Sequence, residues 1–300
     1  MSVIRFGKSE MDVLYHYCSP SAFVAILTGK SLWLSSMSLS NDSMEGRVLA
    51  EVFSRRLQKD GIDPAIASLL QDLLGELEQT FDGLGFCLSE DGDLLSQWRG
   101  YAADGYGFSI GFSRKYLETL SVAEDRKLAA FKLKRVIYDA DEQEAEIDES
   151  FAYAKKAITD GRLKYPSPLG LLSGLGSADA ESDFQRRKSD YERALRSVTL
   201  KMFLEFRKLF TLKNRAFSEE REWRLMSFIT KKDADPCQFR ASKTGLIPYR
   251  SYDMLDLHMQ QIYEGIIGPK NTTPDFVVRK LLQQAGFDNV SIKRSSATYR

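Results

Sequence analysis

The segment that most constrains the fold is the run Leu14-Tyr15-His16-Tyr17-Cys18-Ser19-Pro20, followed by apolar residues at helical spacing up to Gly29. Ser19 is a good N-cap, and proline suits the first helical position, where its missing N–H costs nothing. Gly29 can close the helix in a left-handed conformation. The next residues, Ser31-Leu32-Trp33-Leu34-Ser35-Ser36, partly alternate between polar and apolar, which is typical of a strand. The sequence therefore predicts a strand that carries His16, a capped helix and a second strand.

Strands and helices of uneven length follow along the rest of the chain. Further strands are predicted at residues 83–89, 105–112, 131–138, 223–230, 246–249, 262–267 and 289–293. Helical insertions are predicted at about 43–80 and 141–215. This order favours one α+β domain over residues 1–300 rather than a regular series of βαβ units.

Composition limits the classes of partner. The 42 basic and 42 acidic residues cancel, so the overall charge indicates neither nucleic acid nor a membrane surface as a partner. Cys18, Cys87 and Cys237 form no CxxC pair and no zinc spacing, which favours reduced thiols in a cytosol. The first twelve residues lack the apolar core of a signal peptide, and no apolar stretch approaches the roughly 18 residues of a membrane span. We expect a soluble cytoplasmic protein.

His16 is one of only two histidines in the chain. Side chains alternate across a strand, so Tyr15 and Tyr17 should face away from the imidazole. Two interpretations remain open at this point. His16 is either a hydrogen-bonded residue of a half-buried sheet, or a neutral imidazole that donates to a ribose hydroxyl or a phosphate.

An acidic-aromatic-basic segment, Glu219-Glu220-Arg221-Glu222-Trp223-Arg224, opens a late strand. Glu220 and Glu222 should point to one face of that strand, with Arg221 and Trp223 on the other. Solvated surface charge is the common explanation for such a run. A carboxylate next to a buried tryptophan can instead be a site group whose pKa is tuned by its surroundings.

Two further segments carry polar or aromatic candidates. In Gln97-Trp98-Arg99-Gly100-Tyr101, Trp98 and Tyr101 share a helical face, which core packing explains, whereas Gln97 and Arg99 reach a ligand only if the helix lines a cleft. Asn41, Asp42 and Glu45 suit the start of a helix, and no companion ligands at a recognisable spacing turn them into a predicted metal site. No G-x-S-x-G motif, P-loop or Cys-His-Asn pattern is present, which disfavours covalent hydrolases and NTPases.

Together these segments resemble a bacterial family of unknown function, DUF2971, over nearly the whole chain. The motifs that carry the resemblance are Leu14-Tyr15-His16-Tyr17-Cys18-Ser19, Ser31-Leu32-Trp33-Leu34-Ser35, Asn41-Asp42-Ser43-Met44-Glu45, Leu88-Ser89 with Trp98 and Tyr101, Phe217 with Glu219 to Arg224, Ile267-Gly268-Pro269, and Ser295 to Arg300. Ser43-Met44 departs from the family, which usually has proline and then a hydrophobic residue. The family brings little established function.

A more distant resemblance is to ADP-ribosyltransferase folds, because the opening strand histidine, hydroxyl residue, amphipathic helix, glycine and second strand look like the first third of those enzymes. The resemblance implies a split mixed or antiparallel sheet. It also implies that an early His, a middle aromatic or Ser/Thr and a late Glu surround NAD. The matching positions are His16, then Trp33 or Ser35, then Glu222 or Glu220. No clear tyrosine stands at the middle position.

The second resemblance implies an NAD-using ADP-ribosyltransferase or NAD glycohydrolase, in bacterial stress response or phage defence. His16 would bind the adenosine ribose and Trp33 would stack on nicotinamide. Glu222 would hold the nicotinamide ribose and stabilise an oxocarbenium-like transition state. The remaining cofactor-binding candidates are Arg224 and Arg99 for the pyrophosphate, and Trp98 and Tyr101 of the short helix.

Two alternatives stay open. The first is a non-catalytic nucleotide- or partner-binding module, which the unclear middle position favours. The second is a metal-dependent nuclease that uses Asp42, Glu45 and Glu222.

Overall fold

A computed structural model of the protein describes residues 12–39, 46–124, 130–166, 178–232, 236–242 and 245–299. The predicted α+β class is confirmed: helices pack against one mixed, ten-stranded sheet. The helices of the described residues are α1 (Pro20–Gly29), α2 (Val48–Lys59), α3 (Pro64–Thr80), α4 (Leu95–Tyr101), α5 (Arg114–Glu124), α6 (Ala140–Glu146), α7 (Asp148–Thr159), α8 (Ala178–Phe203) and α9 (Asp275–Gln284). The strands are β1 (Val13–Cys18), β2 (Ser31–Ser36), β3 (Phe81–Ser89), β4 (Phe108–Ser113), β5 (Lys132–Arg135), β6 (Glu222–Thr230), β7 (Gln238–Ala241), β8 (Leu246–Asp253), β9 (Ile262–Ile267) and β10 (Ser291–Arg294).

The sheet divides at β3. The main path runs β10-β9-β4-β1-β3-β2-β8-β7, while β6 pairs along the whole of β3 and β5 pairs with β6. On its other edge β3 meets β1 only at Tyr15↔Ser89, and meets β2 only at Ser35↔Gly85 and Ser36↔Leu84. The edge of β3 between these contacts, residues 86–88, has no strand paired to it in the described part of the chain. We call this edge the β3 notch.

Strand alternation gives the sheet two faces of different character. On the first, which we call the α1 face, Phe86 and Leu225 lie in an apolar core with α1 and α9. Phe23 of α1 stacks on Phe108 of β4 with ring centroids 4.1 Å apart. Ser19 caps α1 as predicted, but Lys30 rather than Gly29 takes the left-handed closing position, with φ 45°.

The opposite face carries α4 on one side and the helical insertions on the other, and we call it the α4 face. Trp98 of α4 packs edge-on against Tyr17 of β1, with centroids 4.9 Å apart. Helices α2, α3, α7 and α8 form a second apolar core with Phe210 and with Met226 of β6. The part of the sheet between these two covers is where charged side chains gather.

Several predicted elements differ from the structure. Only β5 forms within the strand predicted at 131–138. Beyond β5, Ile137 makes an isolated bridge to Leu212. The helix predicted from residue 141 breaks at Ile147 into α6 and α7. Strand β7 was not predicted, because its four residues are too few to give a clear periodic signal. No helix of the described residues is long and apolar enough to cross a membrane.

Candidate functional site

Four charged side chains form a buried cluster on the α4 face. Lys213 Nζ lies 2.6 Å from Glu220 Oε2 and 3.0 Å from Glu222 Oε2. Arg224 donates two hydrogen bonds to the Glu222 carboxylate, from Nε to Oε1 at 2.7 Å and from Nη2 to Oε2 at 2.8 Å. The Arg224 Nη1 also donates to the Phe210 carbonyl at 2.6 Å. Two carboxylates and two cations therefore neutralise each other, as buried charges must.

The two carboxylates of the cluster differ in pKa. Burial alone would raise the pKa of Glu222, but the Arg224 guanidinium and Lys213 outweigh it and lower that pKa to about 2. Burial raises the pKa of Glu220, since its ion pair with Lys213 offsets only part of the desolvation. Glu222 is thus a fixed anion at neutral pH. Glu220 is the carboxylate of this pair whose pKa is raised, and a perturbed pKa is a property expected of a site group.

The backbone before β6 places both carboxylates on one side. A 3-10 helix, Arg215–Glu220, ends at Arg221, which adopts a left-handed conformation with φ 42°. The Arg221 guanidinium is held by Asp91 at 2.9 Å. The Ser89 hydroxyl donates to the Glu220 carbonyl at 2.7 Å, and this contact ties the turn to the end of β3. These contacts fix Glu220 over Lys213.

The side of the buried cluster that faces α4 meets Tyr101 and Cys87. Tyr101 of α4 is 43% exposed, and its hydroxyl has no hydrogen-bond partner among the described residues. Burial and the neighbouring Glu220 raise the pKa of Tyr101. Cys87 of β3 is partly exposed, and its side chain is hydrogen-bonded to Glu222. We call the strip formed by Cys87, Tyr101 and Glu220 the seam, because it separates α4 from the segment that carries Lys213.

His16 does not meet Glu222, which corrects the arrangement expected from the sequence. The imidazole lies on the α1 face, stacked on Phe86 with ring centroids 3.9 Å apart. Its Nδ1 donates to the Cys87 carbonyl at 2.8 Å, so it occupies the β3 notch. Burial lowers the pKa of His16 to about 4, which keeps it neutral at pH 7. Strand alternation puts Tyr15 and Tyr17, rather than His16, on the face of Glu222.

The other cofactor-binding candidates on α4 and β6 are engaged within the protein. Trp98 is fully buried, and its Nε1 donates to Asp93 at 2.7 Å. Arg99 is exposed and lies over the Tyr299 ring, 5.9 Å from its centroid. Arg224 is held inside the charged cluster, with its side chain only 1% exposed. Neither arginine is free in the seam to meet a pyrophosphate, because one points outward and the other is buried.

Trp33 and Ser35 lie on the α4 face, as Glu222 does, but on β2. Trp33 is 37% exposed and stacks on Tyr249 of β8, with ring centroids 4.7 Å apart. The Ser35 hydroxyl accepts from Arg240 Nε at 3.3 Å. The structure therefore brings Glu220, Glu222, Arg224 and Tyr101 together, and sets Trp33 and Ser35 apart on the same face.

A groove of about 810 Å³ adjoins the cluster on the side of α2 and α3. It reaches Lys213 and Tyr138, and its rim carries Arg47, Arg55 and Arg215. The Tyr138 hydroxyl accepts from the Glu222 backbone N–H at 3.2 Å, and burial raises the pKa of Tyr138.

Metal binding finds no support in the described residues, where no group of three or more His, Cys, Asp or Glu side chains could hold an ion. Asp42 and Glu45 of the predicted nuclease set lie outside the described residues.

Sequence reasoning missed Lys213, Cys87 and Tyr138. A lysine after a helical segment normally points to solvent, so nothing in the local pattern indicates that Lys213 is buried. The strand prediction at 131–138 did include Tyr138, and the strand prediction at 83–89 included Cys87, but neither residue was singled out as a site group. Only the tertiary pairing of β3 with β6, with Cys87 opposite Arg224, brings them together.

No curated protein and no solved structure matches the chain. The family model described as "Protein of unknown function (DUF2971)" matches residues 97–225, a narrower span than the one expected from the sequence motifs. The matched residues run from α4 to the start of β6 and include Tyr101 and all four members of the charged cluster. Over this span the chain is similar to the DUF2971 family, and the match includes Tyr101 and Glu220 of the seam but not Cys87.

Proposed function

We propose that the protein is an NAD-using enzyme of the ADP-ribosyltransferase type, which transfers ADP-ribose or hydrolyses NAD, with Glu220 as the acting carboxylate. One observation carries the proposal: Glu220 is buried, has a raised pKa, and has a single ion pair among the described residues. It lies near the exposed Tyr101, on the side of the neutral charged cluster that faces α4. Perturbed carboxylates in such positions are candidates for functional groups.

The chemistry follows from the positions of these groups. When the bond between nicotinamide and ribose breaks, its electron pair leaves with nicotinamide and the ribose C1′ gains positive charge. The Glu220 carboxylate would accept a hydrogen bond from a ribose hydroxyl and stabilise that charge, as carboxylates do in glycoside hydrolysis. The Tyr101 ring would stack on nicotinamide. Water or an acceptor group then attacks C1′ and loses its proton.

The other members of the cluster act through Glu220. Lys213 is shared between Glu220 and Glu222, and Arg224 fixes Glu222 by two hydrogen bonds. Glu222 is therefore a positioning residue in this proposal, since in the described part of the chain its carboxylate is engaged by Arg224, Lys213 and Cys87. The division of the sheet at β3 also supports the proposal, because the distant resemblance implied a split sheet.

The test is nicotinamide release from NAD by the purified protein, with thermal melting in the presence and absence of NAD. Glu220→Gln keeps the shape of the side chain and removes its charge, so release should fall by about 10²–10³-fold. Glu219→Gln is the matched control, because Glu219 is the adjacent and exposed carboxylate. Equal release by wild type and Glu220→Gln, with both proteins folded, would remove Glu220 from the proposal.

A second function, a non-catalytic nucleotide- or partner-binding module, is favoured by one specific observation. His16 and Glu222 lie on opposite faces of the sheet, so the three-residue arrangement expected from the distant resemblance is not assembled. In that case NAD would raise the melting temperature of wild type, Glu220→Gln and Glu219→Gln alike, and none of the three would release nicotinamide.

A cytosolic setting, in stress response or phage defence, belongs to the same proposal. Cys18, Cys87 and Cys237 form no disulfide with one another, and reduced cysteines suit a cytosol.

A further inference from the structure

We propose that Trp33, Tyr249 and Arg240 form a second subsite, a ledge that binds a purine nucleotide by stacking its base and pairing its phosphate. The ledge would hold the adenosine monophosphate half of a dinucleotide whose other half lies in the seam. The choice of a dinucleotide rests on the proposed function. The ledge itself can be tested with a mononucleotide.

The aromatic part of the ledge spans two strands. Ser35 of β2 pairs with Tyr249 of β8, so the rings of Trp33 and Tyr249 project from the same face of neighbouring strands. They stack with centroids 4.7 Å apart and an interplanar angle of 29°. The Trp33 Nε1 donates to the Ser31 hydroxyl at 3.2 Å, which fixes the orientation of the indole. An aromatic pair that stays 37% exposed at Trp33 offers a flat apolar surface, the kind on which nucleobases stack.

Arg240 of β7 supplies the charge. Its Nε lies 3.3 Å from the Ser35 hydroxyl, and no carboxylate pairs with it among the described residues. Arg250 of β8 provides the contrast, because its guanidinium is used by the carbonyls of Pro236 and Phe228 and by the Ser227 hydroxyl. In the described part of the chain, no hydrogen bond or ion pair engages the terminal nitrogens of Arg240, whose Nε lies against Ser35, two residues from Trp33. A guanidinium that offers two parallel N–H groups is suited to a phosphate.

The ledge and the seam share one face. Strands β2, β3 and β6 are consecutive neighbours, and Ser35 is level with Gly85 and Met226. Glu222 lies two strand spacings away, about 10 Å, and four residues further along β6, about 13 Å. An extended ligand with a charged middle and a ring at each end fits this separation better than a single nucleotide does. The ledge thus gives Trp33 a different role from the nicotinamide stacking expected from the sequence.

The experiment is calorimetric titration of the full chain with AMP and, separately, with adenosine. Wild type should bind both, and AMP more tightly. Trp33→Leu should weaken both ligands by about 10-fold or more, since stacking is lost. Arg240→Gln should weaken AMP by a similar factor and leave adenosine unchanged. Phe239→Leu is the control, because Phe239 is 64% exposed on β7 but projects from the opposite face to Arg240.

Two outcomes would overturn the ledge: no binding of AMP by wild type at millimolar concentration, or the same AMP affinity in wild type and a folded Arg240→Gln. Thermal melting establishes folding, and Arg240→Gln keeps the test valid if Trp33→Leu does not fold. AMP binding with the expected pattern, but no nicotinamide release from NAD, would leave the ledge standing and remove the proposed enzyme. Nicotinamide release from NAD without the expected pattern of AMP binding would support the proposed enzyme and remove the ledge.

Discussion

The two faces of β3 and β6 are made from the same strands and are stabilised in opposite ways. On the α1 face, Phe86 and Leu225 lie in a large apolar core to which each residue contributes through its own contacts. On the α4 face, one position along, Cys87 stands opposite Arg224 within a charged cluster. In the apolar core, truncation of one side chain leaves a cavity at that position and does not change the contacts of distant members. The charged cluster is neutral only as a whole, so the loss of one member leaves an uncompensated buried charge.

The largest effect should follow from breaking the charged cluster. Arg224→Leu would leave Glu222 without its main partner, and we expect the free energy of unfolding to fall by about 3–5 kcal/mol in urea titrations. The exposed Arg186, paired with Asp183, is the control, and Arg186→Leu should leave that free energy unchanged within error. If the double variant Glu222→Leu/Arg224→Leu were no more stable than Arg224→Leu, the idea that the two charges depend on each other would fail.

The apolar face should show a loss of similar or smaller size, without such coupling. Leu27 of α1 is fully buried, and Leu27→Ala should cost about 2–5 kcal/mol, depending on how far the cavity collapses. Val24→Ala is the control on the same helix, because Val24 is 45% exposed. In a double variant the costs of Leu27→Ala and Arg224→Leu should add within about 0.5 kcal/mol. Strong non-additivity would mean that the two faces are not independent.

A third, smaller effect is the pH dependence of the free energy of unfolding, to which the two faces contribute in different pH ranges. His16 has its pKa lowered from 6.5 to about 4, so the folded protein binds fewer protons than the unfolded chain in this window. Its contribution is complete above pH 6.5 and is lost as the pH falls toward 4. The pKa of Glu222 is lowered from 4.5 to about 2, so its contribution to stability is lost only at a lower pH, as the pH falls from 4.5 toward 2. Between pH 7 and pH 5, His16→Gln should therefore lose roughly 2 kcal/mol less stability than wild type in urea titrations. Parallel pH profiles would contradict the burial of a neutral imidazole.

The smallest effect concerns backbone conformation. Lys30, which precedes β2 on the apolar side, has a φ of 45°, and Arg221, which precedes β6 on the charged side, has a φ of 42°. Glycine adopts this region without strain, so Lys30→Gly should raise the free energy of unfolding by up to about 1 kcal/mol. Arg221→Gly should gain less, because it also removes the ion pair with Asp91. Thermal melting of both variants would measure the difference.

The elements near the N-terminus could be predicted because their signals are local. Ser19, Pro20 and the spacing of Phe23, Ile26 and Leu27 determine α1, and alternation correctly separated His16 from its flanking tyrosines. The same alternation holds at Glu222, but the sequence does not say which face of β1 and which face of β6 coincide. That depends on the register through β3, namely Tyr15↔Ser89 and Ser89↔Glu222. The error over His16 therefore lies in strand pairing, which is non-local.

The charged cluster could be predicted only in part. Glu220 and Glu222 were recognised by their spacing, and Arg224 by its charge, but the role expected for Arg224 was ligand binding. Lys213, from a segment nine residues before Glu222, supplies the balancing charge through a turn whose path is set by Phe210 and the helical insertions. Local sequence patterns do not predict this tertiary packing.

The β3 notch has a mechanical consequence. On that edge, β1 with β4, β9 and β10 makes one wing of the sheet, and β2 with β8 and β7 makes the other. One wing pairs with β3 at Ser89 and the other at Gly85 and Leu84, and the His16 side chain lies at the edge between these pairs. The angle between the wings is therefore held by this imidazole and by the shared apolar core of the α1 face rather than by a continuous ladder. A molecule that touched both wings would have its affinity governed by that angle, and a substitution at His16 would alter its binding without touching it.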